Sequence, residues 1–288
     1  MPQRNVAMEN TASAPVQVIA VTGGKGGTGK TTVAVNLATA LAMGGRRVLL
    51  LDGDLGLANV DVLLGLTPTG TLEQLLNGEA GLEEIILRTA EGVSVLPASS
   101  GVTRMSRLKP TEHAAIVRAV AALPGEYDTL IVDTAPGLSE SVLTFCAAAQ
   151  QQLIVLRNEP ASLTDAYALI KVLSNERKLA HFRVLVNMAR NGTEAQNLFK
   201  RLQRVTDRYL DVALDYAGEI PDDLDVARAV RSQRTVMAAF PSGPAARAYR
   251  RLAHDVQRWP PPNHPSGRLE FFFERLLKRP SAQLKVIK

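Results

Sequence analysis

Residues 16–32 read VQVIAVTGGKGGTGKTT. The opening seven, Val16 to Thr22, form a continuous apolar run, the pattern of a strand buried on both faces. Gly24 to Thr31 then fit G-x-x-x-x-G-K-[ST], directly after that strand and at the start of a helix predicted from Lys30 to Met43, which Gly44-Gly45 stops. Glycines at these spacings let backbone N–H groups turn inward around phosphate oxygens, and the helix N-terminus adds its partial positive charge. In such a loop Lys30 reaches the β- and γ-phosphates of a nucleotide, and the Thr31 hydroxyl is a ligand for Mg2+.

Downstream, the strand signal recurs. Arg46–Asp52, Val93–Pro97, Tyr127–Asp133, Gln152–Arg157, Phe182–Met188 and Val212–Ile220 are apolar runs, separated by helical-period segments at Ser162–Leu179, Glu194–Arg208, Asp222–Ser232 and Gly243–Trp259. Ser162 and Asp165 have capping-box spacing and predict that the first of these helices starts at Ser162. Strands alternating with helices give an α/β fold, a mostly parallel sheet with helices on both faces. There is no internal repeat or linker before Pro260, so one domain over residues 15–259 is expected. A disordered stretch at 1–14 precedes it, and a proline-rich linker and tail at 260–288 follow.

The chain has 288 residues, 46% hydrophobic and 21% charged, which excludes disordered and collagen-like classes. No apolar run approaches the roughly 18–20 residues that span a bilayer, and Met1–Ala14 has no apolar centre, so a cytoplasmic location is expected. The single cysteine, Cys146, lies among apolar neighbours and reads as a buried thiol. Of the net charge of +5, residues 267–288 supply four, with six basic and two acidic side chains. A body this close to neutral argues against a general nucleic-acid binder, and direct DNA binding is not expected. The four histidines have no metal-ligand spacing and receive no chemistry.

Two further strands end in carboxylates. Asp52-Gly53-Asp54 opens a segment running to Asn59, and Ile131-Val132-Asp133 leads into Thr134-Ala135-Pro136-Gly137. Strand C-termini are where open parallel sheets bind ligands. The loop also carries a second lysine, in Lys25-Gly26-Gly27-Thr28-Gly29-Lys30-Thr31-Thr32. With it, the chain resembles the deviant Walker A ATPases of the MinD/ParA family, whose signature is KGGxGK[ST]T. The resemblance implies a P-loop NTPase fold and an ATP site built from residues 24–32, with Asn187, Pro221 and Asp222 around the adenine. It implies Mg2+ held by Thr31, Asp133 and Asp54. It further implies catalysis by Lys25, Lys30 and Asp54, in which Lys25 reaches the ATP of a second subunit and Asp54 orients or deprotonates the attacking water. Asp52, Asn59 and Asp165 fall at switch or dimer-face positions. The implied activity is a weak, dimer-dependent hydrolysis of ATP to ADP and phosphate. Gly53, where the family has alanine, and Pro136 in the second switch are departures from the pattern.

The tail runs GRLEFFFERLLKR from Gly267. Leu269, Phe272, Phe273, Leu276 and Leu277 recur at i, i+3, i+4, i+7 and i+8, one helical face, with charged residues opposite and Phe271 as the exception. A short basic amphipathic helix of this kind reads as an interfacial membrane anchor. Five such side chains contribute roughly 1.5–3 kcal/mol each when fully buried. Partial burial and helix ordering leave about 4–6 kcal/mol, marginal for one chain. Anionic headgroups add about 1 kcal/mol per basic residue. Two tails on one dimer raise avidity by roughly 10²–10⁴. Membrane binding is therefore expected to follow ATP-dependent homodimerisation.

Longer stretches, DLGLANVDVLLGLT (54–67), DAYALIK (165–171), VTDRYLDVAL (205–214) and GRLEFFFERL (267–276), are similar to the flagellar-number regulators within that family. This narrower resemblance implies a cytoplasmic switch protein, peripheral at the inner face of the cell membrane and located at the cell pole. Its implied partners are a FleQ-type transcription activator, which it restrains, and an FlhF-type GTPase, which it antagonises. A MinD-type cell-division regulator and a ParA-type DNA-partitioning ATPase are the alternative readings.

Overall fold

The computed structural model describes residues 16–98, 104–105, 108–123, 127–260 and 270–271. The stretch 1–14, expected to be disordered, and the tail residues Leu269, Phe272, Phe273, Leu276 and Leu277 lie outside the described residues.

Among the described residues, eight strands form one sheet: β1 (Gln17–Thr22), β2 (Val48–Gly53), β3 (Leu87–Arg88), β4 (Val93–Leu96), β5 (Thr129–Thr134), β6 (Gln151–Leu156), β7 (His181–Ala189) and β8 (Ala213–Pro221). Their order is β3-β4-β2-β5-β1-β6-β7-β8. All pairings are parallel except β3 with β4, a two-residue antiparallel edge that no periodicity in the sequence announces.

The apolar strands are buried on both sides because alternate residues feed two cores. Val18, Ala20, Leu49 and Leu51 face one cluster. Ile19, Val21, Val48 and Leu50 face the other. The second cluster is closed by α1 (Lys30–Met43), by α9 (Leu224–Arg231) and α10 (Val236–Ala239) through Ala229, Val236 and Met237, and by α11 (Pro244–Val256). The first is closed by α5 (Pro110–Ala121), α6 (Glu140–Ala148), α7 (Pro160–Arg177) and α8 (Gly192–Tyr209). Three short helices, α2 (Val60–Leu64), α3 (Leu72–Asn77) and α4 (Leu82–Ile85), fill the crossover from β2 to β3.

Helix α1 is buried over most of its circumference, so its polar residues need partners. Asn36 meets this requirement by donating to the Thr32 carbonyl at 2.8 Å and accepting the Val236 N–H at 2.8 Å. Helix α7 corrects an expectation. It begins at Pro160 with Glu159 as its N-cap, not at Ser162. Proline has no N–H to lose and a φ already suited to the first helical position, so it sets the start. Ser162 Oγ instead accepts the Arg157 N–H at 3.1 Å, and no capping box forms with Asp165.

At the far end of the sheet, the chain leaving α11 is pinned. The Arg183 guanidinium lies 4.4 Å from the Trp259 ring centroid, and Gln151 Nε2 donates to the Pro260 carbonyl at 3.1 Å. No helix among the described residues is long and apolar enough to cross a membrane.

Candidate functional site

Strands β2, β5 and β1 are neighbours, and register brings their acidic and glycine-rich ends together: Asp52 pairs with Asp133, and Asp133 with Val21. The loop after β1 enters α1 through Gly29, in the left-handed conformation at φ 87°. Lys30 is buried and its Nζ donates to the Lys25 carbonyl at 3.0 Å. Burial pushes its pKa down, opposed by the Asp133 and Asp54 charges.

Asp52 closes the following loop on itself. Its carboxylate accepts the backbone N–H groups of Asp54 at 3.1 Å, Asn59 at 3.0 Å and Val60 at 3.1 Å. Even so, desolvation raises its pKa from 3.8 to about 7. Burial likewise raises Asp133, with the Asp52 charge adding to the effect and a hydrogen bond from Thr31 opposing it. Asp133 Oδ1 is buried with no protein partner. Asp54 is half-buried, accepts the Leu57 N–H at 3.2 Å and has a raised pKa, chiefly from desolvation. Asn59 is exposed, its amide bonded to the Leu57 carbonyl at 2.5 Å.

An unpartnered buried carboxylate oxygen, the Thr31 hydroxyl beside it and two further carboxylates make an all-oxygen donor set. This fits Mg2+, which takes few protein ligands and keeps several waters. A cation there would relieve the like-charge repulsion between the buried carboxylates.

Lys25 is half-exposed, and its Nζ lies 2.8 Å from Glu159 Oε2. Glu159 also pairs with Arg157 at 3.2 Å, and the Lys25 hydrogen bond, with Arg157, holds its carboxyl below the ordinary range. Sequence reading missed Glu159; the signal was its place immediately before Pro160, at the N-cap of α7. Asp165 sits further along α7, where its backbone carbonyl abuts Gly24 so closely that a Cβ there would fall 2.1 Å away. The close approach of α7 thus requires glycine at position 24.

Asn187, buried near the end of β7, donates from Nδ2 to the Thr28 carbonyl at 2.9 Å. Next to it is a cavity of about 340 Å³ lined by Thr32, Asn187, Met188, Pro221, Asp222 and Val226 among others. The structure therefore brings together residues 24–32, Asp52, Asp54 and Asp133 at one end of the sheet, with Asn187, Pro221 and Asp222 grouped at an adjoining cavity. Cys146 takes no part: it is buried and its thiol is pushed up to about 12.

A mostly parallel sheet with a phosphate-type loop after its central strand β1 and acidic ends on the two neighbouring strands to one side, β5 and β2, defines a P-loop nucleoside triphosphatase fold. A family model described as an AAA domain matches residues 16–186. The chain belongs to this ATPase family, on its MinD/ParA branch. It is 53% identical over 267 residues to the antiactivator FleN of Pseudomonas aeruginosa, covering 93% of this chain and 95% of that one. It is 30% identical over 264 residues to the flagellum site-determining protein YlxH of Helicobacter pylori, covering 90% and 89%. The septum site-determining protein MinD of Pyrococcus horikoshii, solved with Mg-ADP, superposes with a TM-score of 0.70 at 30% identity, covering 84% of this chain and 96% of that one.

Proposed function

We propose that this protein is an ATP-driven dimerisation switch that limits flagellar number by acting as an antiactivator of a FleQ-type transcription regulator and by opposing an FlhF-type GTPase. The observation that carries this reading is the 53% identity to FleN, which extends over nearly the full length of both chains. The more distant MinD likeness supports the same machinery on a different target.

In this reading residues 24–32 cradle the phosphates, with Lys30 against the β- and γ-phosphates and Thr31 and Asp133 holding Mg2+, assisted by Asp54. The metal supplies charge neutralisation at the transferred phosphoryl group. Asp54 orients or deprotonates the attacking water, and its raised pKa favours a carboxylate that accepts a proton. Lys25 leaves Glu159 to reach the phosphates of the partner subunit, which makes hydrolysis conditional on dimerisation. Asn59 and Asp165 lie on the face that meets the partner. The experiment that tests the function is repression, in a reconstituted transcription assay, of a FleQ-type activator by this protein with ATP; activity equal in ADP and ATP defeats the switch.

Base selection rests on Asn187. With Nδ2 held by the Thr28 carbonyl, Oδ1 is the acceptor for the adenine amino group, and guanine presents an acceptor instead. Asn187→Ala is expected to weaken binding of both nucleotides and to reduce the preference for ATP over GTP by about tenfold, the value of one lost hydrogen bond. Competitive titration with the two triphosphates measures it, and an unchanged ratio removes Asn187 from base reading.

The tail supplies the membrane arm of the switch. Chains with and without residues 267–288, sedimented with anionic liposomes in ADP and ATP, are expected to differ by roughly 10²–10⁴ in ATP-dependent retention, the gain of two linked tails. Equal retention of the two chains rules out the anchor.

A further inference from the structure

Phe271 is the residue that breaks the amphipathic pattern of the tail, and it is seated in the body of the protein. It is fully buried. Its N–H donates to the carbonyl of Ala148, the last residue of α6, at 3.1 Å. Its ring stacks on Phe145 at 6.4 Å between centroids and 28° between planes. The edge of His113 from α5 meets Phe145 at 6.0 Å and 84°.

Phe145 also touches the nucleotide end of the sheet. Gly53, between Asp52 and Asp54, lies so close to β5 and α6 that a Cβ would fall 2.7 Å from the Asp133 carbonyl oxygen and 3.2 Å from Phe145 Cδ2. A side chain at Gly53 is thus excluded first by the Asp133 carbonyl oxygen, and the Phe145 ring closes the space beside it. Two contacts in series, Phe271 on Phe145 and Phe145 against Gly53, link the tail to the segment that carries Asp52 and Asp54 and pairs with the strand ending in Asp133.

We propose that Phe271 is a positioning residue of the nucleotide site: its ring holds Phe145 against Gly53 and so fixes the 52–54 segment in the geometry that accepts Mg-ADP. The proposal rests on the nucleotide-site reading given above. Cores are close-packed, so removing the Phe271 ring leaves a face of Phe145 without contacts and lets it move away from Gly53. The loop after β2 then loses the support beneath it. By linkage the coupling is reciprocal: if Phe271 favours Mg-ADP, bound Mg-ADP favours the seated Phe271.

The test uses the full chain and Mg-ADP, which is not turned over, in titration calorimetry well below the unfolding temperature. Phe271→Ala is expected to weaken Mg-ADP at least about fivefold, the low end of measured couplings between sites. Phe271→Leu, which keeps apolar volume, is expected to stay within about twofold of the parent. A purely structural role lowers the melting temperature but leaves the affinity of the folded protein unmoved. In the parent, hydrogen exchange at the Phe271 amide is expected to slow by a similar factor when Mg-ADP binds. Folded Phe271→Ala that binds Mg-ADP like the parent overturns the proposal. Where that variant fails to fold, an exchange rate at Phe271 indifferent to Mg-ADP overturns it. A parent that does not bind Mg-ADP overturns the site reading itself, and the proposal with it.

Discussion

Asp133→Asn is expected to make the nucleotide-free protein more stable while nearly abolishing its response to Mg2+. Asp52 and Asp133 are adjacent in register and almost wholly buried; burial raises the pKa of both, and the Asp52 charge adds to the cost of ionising Asp133. With Asp52 raised from 3.8 to about 7 in the fold, the native state binds more protons than the unfolded chain between those values. Stability of the nucleotide-free protein therefore falls as pH rises from about 4 to 7, the sign that follows when the native state holds the extra proton. Removing one of the two charges relieves the repulsion, flattens that slope and raises Tm by roughly 2–5 °C for a domain of this size. The same change removes the negative charge from the side chain whose Oδ1 has no protein partner, and Mg2+-dependent nucleotide affinity is expected to fall roughly 10–100-fold. Thermal melts at pH 5 and 7.5, with and without Mg-ADP, measure all three effects. A variant destabilised at pH 7.5, or still stabilised by Mg-ADP as the parent is, contradicts this account of the site. Function held at the expense of stability is common where charge must be stored for a ligand.

Lys25→Ala and Asp54→Ala separate assembly from chemistry. Lys25 is held in its own protomer by Glu159, in an exposed pair that salt screens and a competing phosphate displaces at little cost. If its role lies in the partner's site, its loss weakens the ATP-dependent dimer and lowers hydrolysis by about a thousandfold, as removal of a cation supplied in trans does. Asp54→Ala is expected to keep the dimer, and to lose hydrolysis to a similar degree, because the water-orienting carboxylate is gone but the phosphate contacts remain. Size measurement of both variants in ADP and ATP, beside phosphate-release rates, distinguishes the roles. A Lys25→Ala protein that dimerises and hydrolyses normally removes the trans lysine from the mechanism, and a dimer lost in Asp54→Ala removes the division between the two residues.

Much of this site is legible in linear order because its chemistry is local. The phosphate loop needs glycines, a lysine and a hydroxyl within eight residues, and α1 starts at Lys30 as the pattern requires. The buried strands announce themselves because residues on both faces are apolar, and the carboxylates stand out because each ends such a run. What pairs across long separations was not legible. Glu159 meets Lys25 across 134 residues and Asn187 meets Thr28 across 159, and nothing in the periodicity of either segment records the other.

The amino-acid sequence alone determined the sheet's strand-and-helix alternation, the phosphate loop and the identity of the acidic strand ends, since each is a matter of neighbouring residues and their periods. Only the tertiary structure decided that Asp52 and Asp133 share one buried register position, that Pro160 and not Ser162 begins α7, and that Phe271 seats beside Phe145 beneath Gly53. These depend on how strands order in the sheet and how closely helices pack on it. Burial and close packing are properties of the assembled core, not of any one segment.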